Sequence, residues 1–212
     1  MSNRESVSNQ ESANNECHRM VLVLDCSGSM STAKSDIIGG VNEMIKQQRD
    51  IDPEQNKNVR FNIIRFNSIV EDVRDETLEN VSFLTAEDYV PGGLTALYDA
   101  IGTSIEKYKN EKNVIMLITT DGQENASRTY NWKRVTEMIA ECREKNGWNF
   151  IYLSEDIDTF EQGNSMGLNH SSTGCNNVAI GSKAFGTCLA TGDNNIAIGY
   201  MRKGSKTAKL TK

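Results

Sequence analysis

An open, doubly wound α/β fold is predicted, with a mainly parallel sheet, one antiparallel edge hairpin, helices on both faces and a short C-terminal β-repeat tail. Three observations predict it. Short, wholly apolar runs alternate with segments whose apolar residues recur at helical spacing. A two-residue polar joint separates two strand-like runs, and a nine-residue unit recurs near the C-terminus.

Val21-Leu-Val-Leu24 is apolar at every position, as a strand covered on both faces of a parallel sheet must be. Ile37, Ile38, Val41, Met44 and Ile45 then follow at the spacing of one helix face. Val59–Phe66 and Ile69–Val73 read as strands, and the Asn67-Ser68 joint between them makes an antiparallel hairpin. Leu97, Ile101, Ile105 and Tyr108 mark a second helix, and Val114–Ile118 a second buried strand. Trp132, Val135, Ile139 and Cys142 mark a third helix, Asn149–Leu153 a third central strand, and 156–168 a closing helix. In such sheets ligands bind beyond the carboxyl ends of the strands, so those loops carry the function.

Three segments are expected. Residues 1–18 form a polar arm rich in Ser, Asn and Glu, which buries too little apolar surface to offset its ordering entropy. Residues 19–168 form the α/β domain, and residues 169–212 a β-repeat and basic tail. In that tail Thr173-Gly-Cys-Asn-Asn-Val-Ala-Ile-Gly181 returns as Thr191-Gly-Asp-Asn-Asn-Ile-Ala-Ile-Gly199, 18 positions later. Gly and Asn at the corners suit turns that need positive φ. One pair of such turns is too small to hold a core of its own, so it should stack on something.

Charge narrows the function. Residues 1–170 carry 17 Lys and Arg against 28 Asp and Glu, a net −11, whereas residues 171–212 carry six against one, a net +5. An acidic body argues against nucleic acid as a partner. The basic end, with Arg202, Lys203, Lys206, Lys209 and Lys212, reads as a solvated tail. No apolar run approaches the ~20 residues of a membrane span. The N-terminal residues lack the basic start and apolar core of a secretory signal. The expected location is the cytoplasm or an assembled viral or phage particle. Five cysteines, odd in number and without a C-x-x-C pair, read as free thiols.

Three loops carry hard oxygen ligands. Asp25-Cys-Ser-Gly-Ser-Met30 follows the first strand, Pro91-Gly-Gly-Leu-Thr-Ala-Leu97 leads into the second helix, and Thr119-Thr-Asp-Gly-Gln-Glu-Asn125 follows the second central strand. Together they bring Asp25, Ser27, Ser29, Thr95 and Asp121 to one edge of the sheet. Two carboxylates and three hydroxyls suit Mg2+, for which Mn2+ or Ca2+ can substitute. Two carboxylates only neutralise a divalent ion, which leaves a Lewis-acidic position for a partner's Asp or Glu.

The pattern Asp-x-Ser-x-Ser with a distant Thr and a distant Asp resembles the metal-ion-dependent adhesion site (MIDAS) of von Willebrand factor A (VWA) domains. All five positions match, at Asp25, Ser27, Ser29, Thr95 and Asp121. The resemblance implies that Ser27, Ser29 and Thr95 are direct or near-direct ligands, and that Asp25 and Asp121 act directly or through water. Gly-Leu-Thr-Ala-Leu-Tyr-Asp-Ala-Ile and Thr-Asp-Gly-Gln-Glu-Asn-Ala-Ser look like a microbial and viral branch. The tail's Thr-Gly-x-Asn-Asn-x-Ala-Ile-Gly unit is similar to repeats of trimeric adhesin heads and phage or viral fibres.

Other residues have plainer readings. Cys26 has no neighbouring base and reads as a packed turn residue. Asp99 is open between facing the ion and serving as a first-turn carboxylate. Glu124 reads as a solvated loop charge, Trp132 and Trp148 as packing, and Asp156-Ile-Asp158 as a helix cap region. There is no G-x-x-x-x-G-K-[ST], no Gly-x-Ser-x-Gly, and no histidine besides His18 and His170, so no enzymatic activity is expected. The expected function is metal-dependent binding of a protein partner through its acidic side chain. Residues 169–212 would serve homo-oligomeric, for instance trimeric, assembly. The alternative is a structural component of a virion, tail fibre or surface assembly in which the metal site is incidental.

Overall fold

The computed structural model describes residues 18–51, 53–153, 166, 177–180 and 195–198. The expected polar arm before His18 and the closing helix over 156–168 fall outside them, Met166 excepted. Strand β1 (His18–Asp25) is followed by a 3-10 segment, Gly28–Ala33, and helix α1 (Lys34–Ile51). A second 3-10 segment, Pro53–Asn58, leads to β2 (Val59–Phe66) and β3 (Val70–Thr77). Then come α2 (Leu97–Tyr108), β4 (Val114–Thr119), α3 (Trp132–Asn146) and β5 (Asn149–Leu153).

These strands form one sheet in the order β3-β2-β1-β4-β5, with β1 at its centre. β1 runs parallel to β2 and β4, β4 runs parallel to β5, and only β2–β3 is antiparallel. Alternation along β1 divides the core in two. Val21 and Val23 pack with α2 and α3, through Leu97, Ile101, Ile105, Val135 and Ile139. Met20, Leu22 and Leu24 pack with α1, through Ile37, Val41, Met44 and Ile45. Every side chain of β1 from Arg19 to Asp25 is buried, which is why the run reads as continuously apolar.

The long connection from β3 to α2 is not a passive loop. Leu78, Val81, Leu84 and Tyr89 are buried in the α1-side core, and Arg49 anchors the connection by donating from Nε to the Leu78 carbonyl at 2.7 Å. Local signals bound α3 at both ends. Asn131 Oδ1 accepts the Arg134 N–H at the start of α3, and Gly147, at φ +66°, closes it through an N–H to the Cys142 carbonyl.

The hairpin joint lies where the polar pair Asn67-Ser68 places it, but β3 runs to Thr77, past the expected Val73. Of its extra residues, Arg74 and Asp75 hold their places by pairing, Arg74 with Asp88 at 2.9 Å. Asp75 accepts from Arg19 at 2.9 Å, from Arg60 at 2.7 Å and from the Tyr108 hydroxyl at 3.0 Å. β1 begins at His18, one residue inside the segment assigned to the arm.

In the tail, β6 (Asn177–Ile180) and β7 (Asn195–Ile198) pair in parallel. Asn177 stands opposite Asn195 and Ile180 opposite Ile198, so the offset of the sequence repeat is also the pairing offset. No helix among the described residues is long and apolar enough to cross a membrane.

Candidate metal centre

The chain leaves β1 on one side through α1 and returns on the other through α2 to β4, so the strand order reverses between β1 and β4. Asp25 is the last residue of β1. The β1–β4 register ends at Leu24 opposite Thr119, which brings Thr120 beside Asp25 and Asp121 just beyond the sheet edge.

Asp25 is fully buried and held from several directions. Its Oδ1 accepts the Ser27 N–H at 2.7 Å, and its Oδ2 accepts from the Thr120 hydroxyl. The buried Tyr89 hydroxyl donates to the Asp25 carbonyl. Ser27 Oγ and Ser29 Oγ stand 3.1 Å apart, and Ser29 Oγ donates to Asp121 Oδ1 at 2.6 Å. Thr95 closes the set from the third loop. A Cβ built on Gly122 would lie 2.9 Å from Thr95 Oγ1 and 3.5 Å from Ser29 Oγ, so both hydroxyls converge on that bare backbone. The five residues expected from the sequence therefore meet at one place.

Backbone bonds fix the three loops to one another. The Gly92 N–H donates to the Cys26 carbonyl at 2.9 Å, and the Gly28 N–H to the Gly93 carbonyl at 3.1 Å. Thr95 is gripped from both sides of its own peptide. Its N–H donates to Asn125 Oδ1 at 2.9 Å, while its carbonyl accepts from the Asn125 and Ala126 N–H groups.

Asp99 lies in the first turn of α2, one of its two sequence readings, whereas Glu124 departs from its reading. Asp99 accepts the N–H groups of Arg128, Thr129 and Tyr130, each at 2.8 Å. Glu124 is not a solvated charge. It accepts the Tyr98 N–H at 2.9 Å, the Ala126 and Ser127 N–H groups and the Ser127 hydroxyl. Its carboxylate thereby satisfies an orphan donor at the start of α2, where the helix dipole also favours it. The two acids form a reciprocal clamp, each reaching across from one element to the backbone of the other. Thr120, Asn125 and Gly122 complete the list of contributors missed in the sequence. Only the register beside Asp25 could have signalled Thr120.

Electrostatics favour a cation. Burial pushes the Asp25 carboxyl up, against the hydrogen bonds from Thr120 and Ser27, and the nearby Asp121 charge pushes in the same direction as burial. Neither Asp25 nor Asp121 forms an ion pair among the described residues. Also among them, no three His, Cys, Asp or Glu side chains are grouped to hold a metal. The donor set here is two carboxylates with hydroxyls, all hard oxygens, and it fits a divalent ion of the Mg2+ type. Cys26 is buried in the same loop, and burial pushes its thiol up, as suits a packed turn residue.

No family model matches the sequence, and no curated protein matches it. Solved structures do. The PilB minor pilin from Streptococcus sanguinis superposes with a TM-score of 0.53 at 14% identity, over 72% of this chain and 55% of the pilin. The fold is of the Rossmann-like α/β type. A von Willebrand factor type A protein from Catenulispora acidiphila gives a TM-score of 0.49 at 14% identity, over 66% of this chain and 33% of that one. The manganese-loaded TRAP protein of Plasmodium vivax gives 0.48 at 15% identity, over 76% and 66%. The chain thus spans between a third and two thirds of the length of these neighbours.

Proposed function

We propose that the chain is a metal-ion-dependent protein-binding module, with Asp25, Ser27, Ser29, Thr95 and Asp121 holding Mg2+ or a similar divalent ion. The observation that carries this reading is that the Thr95 and Ser29 hydroxyls converge on the bare backbone of Gly122, with Ser27 Oγ and Asp121 Oδ1 hydrogen-bonded to Ser29 and no ion pair to Asp25 or Asp121 among the described residues. A bound ion supplies a Lewis-acidic position that an Asp or Glu of the partner completes. The chain's own residues do the rest. Asp25 is immobilised by Thr120 and Ser27, Thr95 by Asn125, and the loop after β4 by Asp99 and Glu124.

Catalysis is not part of the proposal. The three loops that carry the site contain no histidine to act as a base. The manganese carried by the TRAP protein and the pilus role of PilB are in keeping with the reading. Calorimetric titration of Mg2+ and Mn2+ into the full chain and into Asp121→Ala tests it. Saturable heat in the first and none in the second is expected, and equal heats would sink the idea.

A second role, assembly into a fibre or particle through residues 169–212, is favoured by the equal-offset pairing of β6 with β7. Sedimentation velocity of the full chain, and of a chain ending at Leu168, in Mg2+ and in EDTA, tests it. An oligomer that persists in EDTA and is lost on truncation is the expected result. Monomers throughout would remove the role.

A further inference from the structure

Among the described residues six large apolar side chains are exposed, and three of them stand beside the ion site. They are Ile69 at 60%, Val90 at 60% and Leu94 at 56% of full exposure. Single exposed apolar residues are ordinary, whereas a cluster at a functional edge marks a contact surface.

Backbone contacts define the cluster. The Leu94 N–H donates to Ser68 Oγ at 2.9 Å and the Ala96 N–H to the Asn67 carbonyl at 2.8 Å, so the hairpin turn bearing Ile69 abuts the loop bearing Leu94. A Cβ on Gly93 would lie 2.9 Å from Ser68 Oγ, and this glycine, at φ +80°, permits the close approach. The stretch between Val90 and Leu94 crosses directly over the Asp25–Ser29 loop through the Gly92–Cys26 and Gly93–Gly28 bonds. Leu94 immediately precedes Thr95. The apolar rim is therefore continuous with the site, on its β2–β3 side.

We propose that the partner is a protein segment in which an Asp or Glu lies within two positions of an aliphatic residue, the acid completing the ion and the aliphatic side chain seating on Ile69, Val90 and Leu94. This rests on the metal-dependent reading above. Charge is the reason an acid alone does not suffice. Residues 1–170 carry a net −11, which repels an acidic partner as it approaches. Apolar contact is indifferent to that field and supplies attraction, while the ion-held carboxylate sets orientation.

The test is an array of immobilised synthetic peptides with central Asp, Glu, Asn or Gln and with Leu, Val, Ser or Lys at the neighbouring positions. The full chain is applied in Mg2+ and in EDTA, and Mg2+ is titrated calorimetrically into the same protein. The expected result is Mg2+-dependent retention on Asp and Glu peptides, about tenfold greater with Leu or Val than with Ser beside the acid. In the Ile69→Ser/Leu94→Ser double variant that ratio should fall to near one, and Ile51→Ser, exposed at the end of α1, should keep it. Mg2+ heat with retention indifferent to the neighbour, or a ratio unchanged in the double variant, overturns this inference alone. Absence of both Mg2+ heat and Mg2+-dependent retention overturns the metal-dependent reading, and this inference with it.

Discussion

The Tyr130 ring lies flat against the backbone of Gly102 in α2, in the space a side chain there would need. A Cβ at position 102 would stand 2.4 Å from Tyr130 Cγ. The ring cannot simply withdraw, because the Tyr130 N–H is held by Asp99 at 2.8 Å and the ring packs against the α2–α3 core. Gly102→Ala is therefore expected to destabilise the fold by roughly 1–3 kcal/mol, despite the better helix propensity of alanine. A thermal melt in EDTA should register this as a fall of about 2–4 °C per kcal/mol. In a Tyr130→Ala background the same glycine substitution should cost little.

Gly122 offers a more local perturbation. Its added Cβ in Gly122→Ala would meet the hydroxyl of Thr95 rather than backbone, so Thr95 can rotate away and the fold survives. The expected outcome is a loss of Mg2+ affinity on the order of tenfold, about 1.4 kcal/mol. The melting temperature in EDTA should hardly move. A calorimetric titration beside an EDTA melt separates the two effects.

Ion binding should itself be visible as stability. A ligand held only by the folded state at a hundredfold excess over its Kd adds about 2.7 kcal/mol. Saturating Mg2+ should accordingly raise the melting temperature of the full chain, and Asp121→Ala should abolish the rise. A shift of equal size in the variant would place the ion elsewhere.

The reciprocal clamp predicts that loop order and ion affinity fail together. Glu124→Ala leaves the Tyr98 and Ser127 N–H groups without their acceptor and the Ala126 N–H with only the Thr95 carbonyl. Roughly 1–3 kcal/mol of stability should go, since hydrogen bonds to a charged group are involved. Hydrogen exchange across 120–130 should accelerate more than across β1.

At the opposite end of the sheet, Asp75 governs the acid response. Burial alone would raise its pKa, but hydrogen bonds from Arg60, Arg19 and Tyr108 outweigh burial and hold the carboxyl well below the ordinary carboxylate range. The sign follows from the depression. The stabilisation is complete above the unfolded value near 3.8 and is withdrawn as pH falls through and below it. Asp75→Asn should cost roughly 2–3 kcal/mol near neutrality, because Arg19 is buried and loses a charged acceptor. The gap between wild type and variant in urea midpoint should narrow from about pH 5 to about pH 3.

The five oxygen-bearing positions were legible because their spacing is set by strand ends. Asp25 closes β1, Asp121 lies just past β4, and Thr95 leads into α2. Apolar runs and helical spacing located the sheet for the same local reason. What could not be read depends on closure between distant segments. Asp99 and Glu124 take their meaning from partners that loop folding brings near, and a lone carboxylate in a polar loop looks solvated until its donors are seen. The buried Leu78, Val81 and Leu84 were hidden by polar neighbours without period, and β3 outran its apolar residues because ion pairs extend it.

That edge strand has a further consequence. β3 offers its outer backbone to solvent, and along eight residues it carries Glu71, Asp72, Asp75 and Glu76. A second strand approaching there would meet a row of charged side chains, Arg74 among them and Glu71, Asp72 and Asp75 already ion-paired, which it would have to desolvate, so copies of this chain at high local density resist zippering sheet to sheet. Crowded side by side on a scaffold, these domains would stay separate along β3, each with its hydroxyl- and carboxylate-lined edge free.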